Sequence, residues 1–338
     1  MAKKKMKTSG IGGQAVLEGV MMKNKESVAI AVRKPDGEID IEVNEYHGVI
    51  HGSALTKIPF VRGVFNFIDS LVLGMRAINH STQFYEEEEP KETALDKAFD
   101  KMFTPAKAEK VWTGIVTVVS FAIAIGLFVL LPYYLSNIFS DKILNRSLLA
   151  LVEGLIRLAI FLIYIIAITL MKDIRRLYMY HGAEHKCINC IEHGMELNVQ
   201  NVKASSRLHK RCGTSFLLFV MIISIILFMF IQVESPVLRI VLRLVLIPVI
   251  AGISYEVIRL AGKSDNFIVM ILSAPGLLLQ RITTKEPDES MIEVGIKSVE
   301  AVFDWKAFLK ENFDYDSSDN GDDEAEEETS ENTELDLE

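Results

Sequence analysis

VWTGIVTVVSFAIAIGLFVLLPYYLSNIFS, residues 111–140, carries no charged side chain, and the first charge after it is Asp141. A helix rises about 1.5 Å per residue and the hydrocarbon core of a bilayer is about 30 Å thick, so roughly 20 apolar residues cross it. The stretch predicts a membrane-spanning helix and sets the class of the whole chain. Hydrophobic residues make up 50% of the 338, and they fall in further blocks of the same kind. Ser147–Met171 is a second span, interrupted by Glu153 and Arg157, whose spacing of four puts them on one helix face as an ion pair. Thr214–Val233 has no charge and is a third. Val237–Leu260 is a fourth, despite Arg239, Arg243, Glu256 and a kinking Pro248, and the four ionisable groups of the outer halves, Glu153, Arg157, Arg239 and Arg243, are expected to form one charge network. Phe267–Leu279 is too short to cross and contains Pro275-Gly276, so it reads as a re-entrant or interfacial segment. The expected fold is an α-helical polytopic membrane protein with about four transmembrane helices.

Basic residues set the orientation. Residues 172–213 carry eight Lys or Arg, 132–146 carry two and 232–236 none. The positive-inside rule then places this central loop in the cytoplasm, and four spans place both termini there, in a multi-pass cell-membrane protein. The net charge of −9 is a property of the C-terminal tail: 13 of the 45 acids lie in 314–338, leaving 32 acids against 36 bases elsewhere. So acidic and apolar-poor a run is expected to stay disordered. Met1–Ser9 is basic and lacks the apolar core of a secretory signal, so no cleavable leader is expected.

Residues 1–60 form an N-terminal cytoplasmic segment. Within it SVAIAVRK (27–34) and EIDIEVNEY (38–46) flank Pro35-Asp36-Gly37, the pattern of a β-hairpin, which makes this small part α+β. In 61–110, Val61, Val64, Phe65, Ile68, Leu71, Val72, Met75 and Ile78 recur at helical spacing and predict an amphipathic helix, with a second, short one over Thr93–Phe103. The bundle follows over 111–261, with the loop 172–213 inside it, then an interfacial or cytoplasmic segment, 262–313. No repeat of fixed period is visible, which weakens a transporter reading. Gly10-Ile11-Gly12-Gly13 lacks the Lys-Ser/Thr of a phosphate loop, and there is no nucleic-acid motif. The lipid bilayer is the partner the sequence implies, with a protein partner left open.

Chemistry concentrates in one loop. Four of the seven histidines and all three cysteines lie between His181 and Cys212. His181, Glu184 and His185 share one face if the helix runs through them, and their H-x-x-E-H order is the inverse of the zinc-protease motif, in which two imidazoles hold zinc and the carboxylate takes a proton from the attacking water. Cys187-x-x-Cys190 and His209-x-x-Cys212 stand at zinc-ribbon spacing. Thiolate and imidazole donors favour zinc or another transition metal. On a continuous helix the cysteine pair points away from the histidine pair, so a site using both needs the helix to end near Lys186, which Asn189 and Gly194 permit. Three arrangements stay open: a structural zinc on Cys187, Cys190, His209 and Cys212; a catalytic zinc on His181 and His185 with a third ligand, for which Glu256 is a candidate; and a mixed site on His181, His185, His209 and Cys212. His47, His51 and His80 read as surface or core residues.

At these residues the chain resembles the YqhQ family of bacterial membrane proteins, a family of unknown function described as predicted metal-dependent enzymes. The matching pieces are GGQAVLEGVMM (12–22), PFVRGV (59–64), HGAEHK (181–186), RCGTSF (211–216) and APGLLLQRITTKEP (274–287). The resemblance implies an integral membrane location and a metal carried by His181, His185, His209 and Cys212, with Glu184 the acid or base. It also favours Cys190 over Cys187 as the typical member of the pair. The leading expectation is a metallohydrolase with Glu184 as general base. Its rival is a membrane scaffold or assembly factor whose zinc pins the central loop.

Overall fold

The computed structural model of the chain describes residues 6–50, 53–85, 105–231, 233, 235–262, 266–313 and 315. The expected helix over 93–103 and all of the acidic tail but Tyr315 lie outside the described residues.

The hairpin expected over 27–46 is present, as β3 (Ser27–Arg33) and β4 (Ile39–Glu45), and Gly37 takes a left-handed φ of +93° in its turn. It belongs to a larger antiparallel meander. β1 (Gly12–Val16) and β2 (Gly19–Asn24) precede it, with the order β1-β2-β3-β4. Leu17-Glu18 turns the first pair, and Glu18 has φ +50°. Gly19 admits no side chain, because a Cβ there would stand 2.4 Å from the Ala31 carbonyl. Alternation along β2 and β3 sends Val20, Met22 and Ala31 to one face and Met21, Val28, Ile30 and Val32 to the other, so both faces are buried. The second face packs on α1 (Val61–Thr82) through Leu73 and Ala77. The first packs on α5 (Lys172–Glu192) and α11 (Glu289–Glu300). Small residues at 29 and 31 let α11 come close enough for Ser298 Oγ to donate to the Val20 carbonyl at 3.0 Å.

Among the described residues, three helices are long and apolar enough to cross a membrane: Gly114–Asn137, Arg146–Ile168 and Gly213–Phe230. The first joins α2 (Pro105–Ile125), a π turn over Gly126–Leu130 and α3 (Leu131–Asn137); the others are α4 and α7, the latter preceded by the short α6 (Val199–Ala204). Phe121, Ile123, Ile163 and Phe230 stand more than 60% exposed, as side chains that face lipid rather than water should. The block expected as a fourth span is broken at Leu246 into α8 (Pro236–Val245) and α9 (Ile247–Ala261). Pro248 supplies the reason, since it lacks an N–H and its ring clashes with the carbonyl four residues earlier. The Pro-Gly segment expected to be re-entrant or interfacial is one helix, α10 (Phe267–Thr283), with Pro275 inside it and Gly276 against Ser215 of α7. α1 ties sheet to bundle: Gly63 lies against Tyr255, and Arg62 Nε donates to Glu256 Oε1 at 2.7 Å.

The network expected between the second and fourth apolar blocks is formed by Glu153, Arg157 and Arg243. The side chain of Arg239 is outside the described residues.

Candidate metal centre

α5 is the element that builds the site. It does not end near Lys186 but runs to Glu192, and Gly194, at φ +75°, is where the chain turns away. His181, Glu184 and His185 therefore share a face, while Cys187 and Cys190 are turned into the core beneath the sheet. Three glycines bring the surrounding backbone close. A Cβ at Gly182 would stand 2.0 Å from the Lys285 carbonyl, one at Gly13 2.8 Å from Glu184 Cγ, and one at Gly295 2.9 Å from Cys187 Sγ.

His181, His185 and Cys212 come together, with one donor atom of each within 4.8 Å of the others. His181 Nε2 is 3.2 Å from Cys212 Sγ. The other ring nitrogen of each histidine is tied to a backbone carbonyl: His181 Nδ1 to Thr283 O at 2.9 Å and His185 Nδ1 to Arg207 O at 2.7 Å. Carbonyls only accept, so both Nδ1 atoms carry protons and each ring, once neutral, turns its Nε2 lone pair to the cluster, the tautomer of a metal-ligating histidine. Glu184 Oε2 lies 3.9 Å from each Nε2. Burial alone would raise the Cys212 thiol, but the neighbouring His181 and His185 rings outweigh it and hold the thiol well below its ordinary value. Burial alone would lower His181, but Cys212 and then Glu184 carry it up to about 9.

Other predicted ligands stand apart from this cluster. Cys190 Sγ donates to the Glu196 carbonyl at 3.2 Å, and burial pushes its thiol up to about 12. Helix continuity is the reason: Cys190 is five residues beyond His185, on another face. The His209 ring sits 5.6 Å from that of His185, and its Nε2 faces Glu192 Oε2 at 3.5 Å. Glu256, bound to Arg62, is engaged elsewhere.

Residues 58–305 match the model of the family described as "Protein of unknown function (DUF1385)". The chain is also 35% identical over 307 residues to the "Uncharacterized protein YqhQ" of Bacillus subtilis (strain 168), covering 89% of this chain and 94% of that protein. The chain belongs to the DUF1385 family. No solved structure matches it.

The DUF1385 match takes in the three clustered residues and a clamp that the sequence reading missed. Lys186 Nζ donates to the carbonyls of Lys203 and Ser205, both at 2.9 Å, and Asn189 Nδ2 to those of Ser206 at 2.6 Å and Leu208 at 3.0 Å. Gln280, fully buried on α10, accepts from His209 N–H at 2.8 Å and donates to His209 O at 2.7 Å and Ser215 Oγ at 2.8 Å. Together these hold the segment that delivers the Arg207 carbonyl and Cys212. Polar residues in a helix whose partners are backbone carbonyls carry no spacing signature, which is why pattern reading passed over them. The match starts beyond the sheet, yet Glu18 of the sheet reaches α5, pairing with Arg176 and accepting from Tyr180 OH at 3.1 Å.

Proposed function

We propose that the chain is a membrane metalloenzyme of the hydrolase class, with His181, His185 and Cys212 holding zinc and Glu184 acting as general base. The observation that carries this is the convergence of three donor atoms, two of them imidazole nitrogens whose partner nitrogens are already committed to carbonyls. The donor set suits zinc: tetrahedral arms of about 2.0 Å to nitrogen and 2.3 Å to sulfur set N and S about 3.5 Å apart, against 3.2 Å between His181 and Cys212. Three protein ligands leave a coordination position open, where the metal would act as a Lewis acid. Glu184, buried beside both imidazoles, would take the proton of the attacking water and return it to the leaving group. The eight basic residues of 172–213 favour a cytoplasmic site, and α8 with α9 as one broken fourth span would bring the C-terminal segment back to the same side.

Elemental analysis of the purified full-length protein tests the reading. About one zinc per chain is expected, lost in His181→Ala, His185→Ala and Cys212→Ala and kept in Cys190→Ala; a metal-free wild type overturns it. Glu184→Gln is expected to keep the metal and lose turnover in a hydrolase screen. One observation favours a second reading: the carboxylate is equally near both Nε2 atoms, as a fourth ligand would be. A closed shell of four is the mark of a structural site in a scaffold protein, and Glu184→Gln would then lose metal as well.

A further inference from the structure

The far end of the bundle carries a second constellation. α4 runs 23 residues from Arg146 to Ile168, about 35 Å, before the chain enters α5. Its first turns, with α3, the end of α7 and α8, enclose a cavity of about 330 Å³, of the size small-molecule sites begin at. Tyr133, Ser136 and Asn137 of α3 line one wall, Glu153 and Arg243 another, and Phe228 a third.

Among the described residues, charge at this cavity is unbalanced, because Arg146 and Arg243 line it against the one acid Glu153, which also holds Arg157 behind it. Arg157 Nη2 meets Glu153 Oε1 at 2.9 Å, and Arg243 Nη2 meets Oε1 at 2.7 Å and Oε2 at 2.8 Å. Two guanidiniums thus share one carboxylate, and Glu153 is the single acid among the described residues of the lining. The Nε atoms of Arg157 and Arg243 are buried and, among the described residues, have no hydrogen-bond partner. A pair serving only to neutralise itself inside a membrane segment needs one arginine; a surplus cation there is costly unless an anion answers it. Both guanidiniums lie over the Phe228 ring, at 5.9 and 5.3 Å, which holds their planes in place but adds no negative charge. Glu153 sits seven residues into α4, roughly 10 Å from its end, at the depth of a lipid headgroup and the start of its chains. Leu148, Leu155 and Val237 nearby are exposed, giving acyl chains an apolar surface to follow.

The geometry points to a binding site for a phosphate oxyanion at this end of the bundle, with the headgroup of an anionic phospholipid as its source. Arg243 supplies the charge, and the polar wall of α3 takes the remaining oxygens.

Native mass spectrometry of the full-length protein in detergent, titrated with dioleoylphosphatidylglycerol and with phosphate-free dioleoylglycerol, tests this, with a parallel thermal-shift titration by inorganic phosphate. Arg243→Gln removes the second cation on Glu153 but keeps the Glu153–Arg157 pair and Arg146, and Ala150→Phe fills the cavity while leaving all four charges. Wild type is expected to retain phosphatidylglycerol over dioleoylglycerol, and both variants to bind it at least about tenfold more weakly, the loss of one charge-assisted contact. Phosphate stabilisation that both variants lose, without retained lipid, keeps the oxyanion site and makes its source soluble. Binding of neither probe, or binding that both variants leave unchanged, overturns the site.

Discussion

Three buried cysteines sit within one short stretch, and their surroundings set them in opposite directions. Burial, then Cys190 and Glu184, push the Cys187 thiol well above its ordinary value, and burial pushes Cys190 up to about 12. Cys212 is held down by His181 and His185 despite its burial, and it caps α7, where Thr214 N–H donates to its sulfur at 3.4 Å. In chelated Cys187→Ala/Cys190→Ala protein, ultraviolet thiolate absorbance is therefore expected already at neutral pH, disappearing only in acid. Replacing His181 by Ala should move that titration up. Absorbance that appears only near the ordinary thiol pKa of about 8.5 would count against this electrostatic picture. At this scale the sequence was informative where spacing decides contact: His181, Glu184 and His185 lie on one face because 3.6 residues make a turn. Cys190 and His209 were less legible because the outcome hung on where the helix stops. Asn189 and Gly194 could each end it, and the stop falls at the second.

The elements show the same division between local and non-local signals. Pro35-Asp36-Gly37 between two β-prone runs gives its hairpin away, whereas β1 and β2 are glycine-rich and turn on Leu17-Glu18, a pair with no turn signature. Their strand character comes from burial between α1 on one face and α5 and α11 on the other. The Val237–Leu260 block was legible as apolar and as kinked at Pro248 but not as fully broken, because a proline that bends a helix and one that splits it look alike in sequence. Between elements, close approach depends on glycines that pattern reading treats as neutral. Gly182 is the sharpest case: the opposing atom is a backbone carbonyl at 2.0 Å, which cannot rotate aside, on a segment held by the Lys285 N–H bond to Tyr178 O at 2.8 Å. Gly182→Ala is expected to destabilise the protein by about 1–3 kcal/mol and to lower its thermal midpoint in detergent. Gly114→Ala, at a glycine with open space around it, should leave the midpoint where it is. Equal midpoints for the two variants would mean that the contact of the 285 segment with α5 is not rigid.

For the molecule as a whole, the metal-side half is knotted together at Glu192, the last residue of α5. Its fully buried carboxylate accepts from Ser9 N–H at 2.8 Å and Ser9 Oγ at 2.7 Å, pairs with Arg211, and faces His209 at 3.5 Å. One side chain thus joins the N-terminal arm, the site helix and the segment leading to Cys212. Burial opposes its ionisation, but His209, Arg211 and Ser9 prevail and hold it at about 2, below its ordinary 4.5. With the folded value the lower one, the unfolded chain binds more protons between the two, so stability rises with pH across that interval. The contribution, about 3 kcal/mol from the size of the shift, is complete above pH 4.5 and disappears as pH falls through 2. Glu192→Gln keeps the shape and removes the charge. Its thermal midpoint should lie below that of wild type at pH 7, and the gap should narrow steadily as both are taken into acid. A constant gap at every pH would show that Glu192 acts through shape and hydrogen bonding alone, and that the cohesion of the N-terminal arm with the site does not depend on its charge.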